Sequence, residues 1–233
     1  VLAATCVADT FDLTVEAFNL AERYQTPVIL LSDQEIGQCK ATVDPIDTSR
    51  FKIEQRRQPT AAELEKYQRF RFTESGVSPI THPGQPGGDY LAAGIEHNEA
   101  GAPTASGGMH EKMNAKRFRK LDPLRRRRDL FRIEGDPAAP LALVSWGSTG
   151  GVCREALDLA RAEGLKVKLL VPQLLYPVAE DVYREFFRGV SAGLVVELSF
   201  QGQLFRLLRM YLDVPAGVRS LCRSGANPFL PRE

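Results

Sequence analysis

Read as a pattern of apolar and polar positions, the chain changes character twice. Phe11, Val15 and Phe18 recur on one face at helical spacing. Asp9 and Thr10 before them are residue types that cap helix N-termini, so a helix is predicted to run to Tyr24. Gln25-Thr26-Pro27 ends it. The continuous apolar run Val28 to Leu31 then predicts a parallel strand covered on both faces. From about Lys40 to Pro83 the periodicity fades while charges and prolines accumulate, with one short helical piece near Ala61 to Phe70. Pro83 to Gly88 (PGQPGG) is turn or loop. Ser106 to about Leu130 predicts a long polar helix with Met109, Met113 and Phe118 as sparse apolar positions.

After Gly135, Pro137 and Pro140 the pattern becomes regular. Leu141 to Trp146 predicts a strand, Val152 to Glu163 a helix closed by Gly164, and Val167 to Val171 a strand. A helix near Ala179 to Phe187, a strand at Leu194 to Leu198 and a helix at Gln201 to Leu212 follow. This alternation implies an α/β fold with a mostly parallel sheet and helices on both faces. Three stretches are predicted: residues 1–39 as the last αβ unit of an α/β domain, 40–137 as a connector with a long basic helix, and 138–233 as a compact parallel α/β domain. Val1 is not an initiator Met and the chain enters a helix almost at once, so the expectation is a truncation through a domain.

Composition narrows the function classes. The 233 residues are 43% hydrophobic and carry a net charge of +1, enough for a substantial core and without a global field for nucleic acid or a membrane surface. Cys6, Cys39, Cys153 and Cys222 lack the spacing of a zinc ribbon or a ferredoxin-type cluster, so no metal cluster is expected in this chain. No apolar run approaches the ~20 residues of a membrane span, and no signal peptide opens the chain, which makes a cytoplasmic location the expectation.

Candidate chemistry is local. Gly147-Ser148-Thr149-Gly150-Gly151 joins a strand to a helix, where backbone N–H groups can receive an anion. Such glycines also simply let a helix pack closely on a strand, and both readings stand at this point. Glu197 ends a strand on the edge where open α/β sheets bind ligands. It is either an orienting carboxylate or a solvated strand end. Gly94 to Glu99 places Glu96, His97 and Glu99 together, but at no metal-ligand spacing, which favours a hydrogen-bonded turn. Lys112 to Arg132 is strongly basic, without the aromatic platforms of a single-strand binder, so nucleic acid is the weaker reading and pairing of its arginines with a partner subunit's acids the stronger. No nucleophile constellation is present, and no catalytic or metal-binding residue is assigned.

Strings of residues carry a further signal. Asp9 to Gln38 (DTFDLTVEAFNLAERYQTPVILLSDQEIGQ) resembles the closing segment of the pyrimidine-binding domain in the α subunits of 2-oxoacid:ferredoxin oxidoreductases. Tyr90 to Leu121, with Gly94-Ile95-Glu96-His97, is similar to the linker of that family. SWGSTGG (Ser145 to Gly151), LLYPV (Leu174 to Val178), VVELSFQGQL (Val195 to Leu204) and NPF (Asn227 to Phe229) follow in the order of its transketolase C-terminal-like domain. The linker points to the 2-oxoglutarate branch. Leu198 and Ser199 depart from the asparagines usual in the family after the glutamate matching Glu197.

The resemblance implies the C-terminal part of an α subunit, inactive alone, in an enzyme that oxidatively decarboxylates a 2-oxoacid with CoA to acyl-CoA, carbon dioxide and reduced ferredoxin. It implies thiamine diphosphate with Mg and an iron–sulfur cluster, held mostly by other chains, and a β subunit and ferredoxin as partners. The family's Y-P-I-T-P motif and its activating glutamate lie upstream of Val1. Gly147, Ser148, Thr149, Gly150, Glu197 and Gln203 become candidates for cofactor binding or a subunit interface. A pyruvate or branched-chain 2-oxoacid enzyme, and a non-catalytic transketolase-like assembly module, remain as alternatives.

Overall fold

The computed structural model describes residues 1–225 and 227–233. They form two compact units, one made of residues 1–17, 28–51 and 124–233, the other of residues 18–27 and 52–123.

The first unit begins with strand β1 (Leu2–Ala3), which pairs in parallel with β2 (Leu30–Leu31). Between them runs helix α1 (Val7–Tyr24), whose residues up to Ala17 belong to this unit. The start of α1 differs from the sequence expectation. Asp9 and Thr10 lie inside its first turn, and the Asp9 carboxylate reaches back to the N–H groups of Thr5 (3.0 Å) and Cys6 (3.1 Å). A short helix α2 (Gln34–Gln38) follows β2.

The rest of this unit is a five-stranded sheet. Strand β3 (Phe131–Gly135) is its antiparallel edge, and β4 (Leu141–Ser145), β5 (Val167–Pro172), β6 (Ala192–Glu197) and β7 (Val218–Cys222) are mutually parallel, in the spatial order β3-β5-β4-β6-β7. Helices α5 (Thr149–Ala162), α6 (Glu180–Phe186) and α7 (Gln203–Tyr211) connect the parallel strands, matching the α/β expectation. Crossing from β4 to β5 and from β6 to β7 in opposite directions, the right-handed connections put α5 and α7 on opposite faces. The order therefore reverses between β4 and β6, and the carboxyl ends of those two strands border a topological switch point.

β5 is buried on both faces, and alternate residues along it share one cluster. Val167, Leu169 and Val171 of β5 and Val196 of β6 pack with Cys153 and Leu157 of α5 and with Phe229. Each fully buried aliphatic side chain here contributes about 1.5–3 kcal/mol. Gly164 closes α5 as expected: at φ +81° it lets the Leu165 N–H reach the Ala160 carbonyl (2.9 Å).

The second unit contains a short helix α3 (Ala61–Leu64) with a Thr60–Glu63 capping box, and helix α4 (Gly107–Arg119), capped by Ser106. The long basic helix expected to about Leu130 thus ends at Arg119. Pro123 cannot continue a helix, and the chain passes through two short 3-10 turns into β3. Among the described residues no helix is long and apolar enough to cross a membrane.

Candidate functional site

The carboxyl edge of the sheet gathers the polar groups of the first unit. After β4 the chain turns at Gly147, whose φ of +66° suits glycine, and a Cβ there would lie 2.9 Å from Asp33 Oδ2. The Ser148 N–H donates to that same oxygen at 2.8 Å, while Asp33 Oδ1 accepts from the Ile36 N–H at 3.0 Å. One carboxylate therefore caps α2 and occupies the N-terminus of α5. The anion for which the glycine turn is suited is supplied by the chain itself. Thr149 and Gly150 are buried in the first turn of α5, and a Cβ on Gly150 would come within 2.9 Å of Val171 Cγ1. That glycine lets α5 lie on β5.

Glu197 is not a solvated strand end. It is fully buried, and its carboxylate accepts from the N–H groups of Leu204 (2.9 Å) and Phe205 (3.1 Å), the Ser199 hydroxyl (3.2 Å) and Trp146 Nε1 (3.4 Å). These bonds satisfy the otherwise orphaned donors of α7. Gln203 stands exposed in the first turn of α7, its N–H donating to Ser199 Oγ at 3.2 Å. Ser199, where the family resemblance leads one to expect asparagine, is thus part of the same cap.

Asp33, Glu35, Cys39, Ser148, Leu198 and Pro228 line a cleft of about 330 Å³ at the switch point. The structure brings Ser148 to this cleft, whereas Glu197 and Gln203 gather at the N-terminus of α7. Asp33 escapes the sequence reading although its local signal, an N-cap carboxylate directly after an apolar strand, is visible. Asp9, read from the sequence only as a helix cap, has a second role that escapes it. Buried at the end of β5, its carboxylate accepts from Gln173 Nε2 (2.8 Å) and Arg132 (3.1 Å) as well as from its own loop.

Three arginines at the end of the basic stretch find acidic partners within the chain. Arg127 pairs with Glu16 (2.7 Å) and Asp129 (2.6 Å), Arg128 with Glu185 (2.7 Å), and Arg132 with Asp9 (3.1 Å). An acidic partner subunit is not needed to satisfy them. In the second unit, Gly94 to Glu99 is the hydrogen-bonded turn expected. Asn98 Oδ1 accepts from the N–H groups of Ala100 (3.0 Å) and Ala102 (3.1 Å), and the Thr104 N–H donates to the Glu96 carbonyl (3.0 Å). Arg117 and His110 beside Glu96 hold its carboxyl well below the usual range, at about 2.

Comparison with known proteins places this arrangement. Residues 1–115 match the family described as pyruvate flavodoxin/ferredoxin oxidoreductase, thiamine diP-bdg, and residues 139–226 match pyruvate:ferredoxin oxidoreductase core domain II. The chain is 33% identical to 2-oxoacid:ferredoxin oxidoreductase 2, subunit alpha, of Aeropyrum pernix, over 92% of this chain and 34% of that protein. It is 29% identical to the 2-oxoglutarate synthase subunit KorA of Methanothermobacter thermautotrophicus, over 100% of this chain and 61% of that one. A solved 2-oxoglutarate:ferredoxin oxidoreductase from Magnetococcus marinus, with 2-oxoglutarate, coenzyme A and succinyl-CoA bound, superposes with a TM-score of 0.92 at 36% identity. That match covers 99% of this chain and 40% of the other, so the chain spans only part of the proteins it resembles.

The cleft at the switch point does not fit the diphosphate end of a thiamine cofactor. The cleft presents the carboxylates of Asp33 and Glu35 without a lysine or arginine, and the N-terminus of α5 is already occupied. Among the described residues no group of three or more His, Cys, Asp or Glu side chains is placed to hold a metal ion, and Cys6, Cys39, Cys153 and Cys222 are free thiols. What the residues match, in sequence over two successive regions and in backbone over nearly the whole chain, is one kind of subunit. The chain belongs to the α-subunit family of the 2-oxoacid:ferredoxin oxidoreductases.

Proposed function

We propose that the protein containing this chain is the α subunit of a 2-oxoglutarate:ferredoxin oxidoreductase. With a β subunit, in the cytoplasm, it oxidatively decarboxylates 2-oxoglutarate with CoA to acyl-CoA and carbon dioxide, and passes the electrons to ferredoxin. The observation that carries the substrate assignment is the match across nearly the whole chain to the Magnetococcus enzyme, whose structure holds 2-oxoglutarate and succinyl-CoA. Thiamine diphosphate with Mg and the iron–sulfur cluster are assigned mostly to other chains of the assembly. The role proposed for this chain is architectural: Asp33, Ser148 and Glu197 fix the carboxyl edge of the sheet, and Gly147, Thr149, Gly150 and Gln203 complete an edge that faces a cofactor-bearing partner.

A second substrate reading rests on a specific relative. The chain is 27% identical to the ketoisovalerate oxidoreductase subunit VorB of Methanothermobacter marburgensis. Co-expression of the whole α subunit with its β subunit, anaerobic purification, and CoA-dependent ferredoxin reduction with 2-oxoglutarate, pyruvate and a branched-chain 2-oxoacid separate the two. We expect kcat/KM for 2-oxoglutarate to exceed the others at least tenfold. A higher value for another acid overturns the substrate assignment. No reduction with any of them by a correctly assembled complex overturns the oxidoreductase function in favour of a non-catalytic assembly module.

A further inference from the structure

The second unit contains a pocket of about 140 Å³ whose charge is not balanced from within. Arg69, Lys116 and Lys120 all line it, and each donates to a neutral oxygen: Arg69 to Gln25 Oε1 (2.7 Å), Lys116 to the Phe70 carbonyl (2.8 Å) and Lys120 to the Gln25 carbonyl (2.9 Å). None of the three forms an ion pair with a carboxylate among the described residues, and Lys116 is only 7% exposed. Arg117 also lines the pocket, but Glu96 holds it at 3.0 Å.

The site is built, not incidental. Lys116 in the last turn of α4 and Lys120 at its C-cap stand one turn apart, an arrangement that is destabilising for like charges. Arg69 is fixed against the rings of Phe70 (5.1 Å) and Tyr90 (6.0 Å). Gln25, which holds two of the cations, sits at φ +47°, a conformation uncommon for a residue with a side chain. Burial first, then Arg69 and Lys120, lowers Lys116 to about 8 against the opposing pull of Glu99. Lys116 is buried and Arg69 and Lys120 are half-buried, and cations held at such depth by neutral oxygens alone are unfavourable unless an anion completes them. By the volume one water needs, the pocket has room for roughly ten waters, ample for a tetrahedral oxyanion.

We infer that this pocket binds a phosphate group through Arg69, Lys116 and Lys120, carried by inorganic phosphate or by a phosphomonoester whose organic part projects outward. The inference is independent of the substrate assigned above. Assembled α–β complex, freed of phosphate by dialysis, is titrated with inorganic phosphate, with a mononucleotide monophosphate, and with chloride at matched ionic strength, and binding is followed by calorimetry and thermal melting. Phosphate or the monoester, but not chloride, should bind saturably and raise Tm. Lys116→Met and Lys120→Gln should each weaken binding at least tenfold, while Lys112→Met, an exposed change on the same helix, should leave it intact.

If both phosphate forms bind, the phosphate group is the ligand. If inorganic phosphate binds alone, the pocket is closed to esters, and the monoester alone marks a nucleotide-like source. Equal responses to phosphate and chloride overturn the inference, as does undiminished binding by Lys120→Gln. So does a pocket silent to both phosphate forms in the complex, the result expected if a partner's carboxylate already fills it.

Discussion

At the scale of single residues, the carboxyl edge of the sheet depends on side chains whose hydrogen bonds cannot be shared out differently. Glu197→Gln keeps one acceptor for α7 and should destabilise the protein by about 1 kcal/mol. Glu197→Ala leaves the Leu204 and Phe205 N–H groups without an acceptor and should cost on the order of 3 kcal/mol, read from urea denaturation. Neighbouring glycines should behave oppositely. Gly150→Ala forces its Cβ against Val171 and should cost about 1–3 kcal/mol. Gly151→Ala meets nothing within 4 Å and should stabilise α5 by up to about 1 kcal/mol. Glu96 sets a pH dependence. With its carboxyl lowered from 4.5 to about 2 by Arg117 and His110, its contribution is complete above 4.5 and is lost as pH falls towards 2. The difference in urea midpoint between wild type and Glu96→Gln should shrink as pH falls from 4.5 and vanish below about 2.

At the scale of elements, β4, β5 and β6 have neighbours on both sides and β3 and β7 on one. Native-state hydrogen exchange should find the slowest amides in the three inner strands and earlier opening at both edges. The same distinction explains which elements could be read from the sequence. Inner strands are continuous apolar runs followed by amphipathic helices, and their alternation is visible from Leu141 to Leu212. The edge strands are not. Phe131-Arg132-Ile133-Glu134 alternates apolar with polar, but the arginine run before it suggests a continuing helix, and Val218-Arg219-Ser220-Leu221 is too short and too polar at its centre to show a strand period. The glycine turn and Glu197 were legible as positions at strand ends. Their partners were only partly so, because Asp33 meets Ser148 across 115 residues and no local pattern encodes that pairing.

At the scale of the whole molecule, the proposed start of an autonomous domain at residue 138 can be tested by limited proteolysis. We expect residues 138–222 to survive uncut. The exposed stretch from Lys40 to Arg50 should be nicked first, since its only regular element is a single 3-10 turn. After that cut, residues 1–39 should stay bound to the sheet in native mass spectrometry, held by Asp9 and Asp33. Their early release would show that those contacts are marginal. That discontinuity has a consequence for the order of folding. A ribosome delivers β1, α1 and α2 long before β5 and β6, so Asp9 and Asp33 wait without Gln173 and Ser148 while more than a hundred residues are made. The later closure of so long a loop is entropically modest, about 0.6 kcal/mol for each doubling of its length, but it has to wait for β4 and β5. Until then the segment that bears the two carboxylates is held only by its local contacts, and in arrested nascent chains it should resist protease only after β5 has emerged.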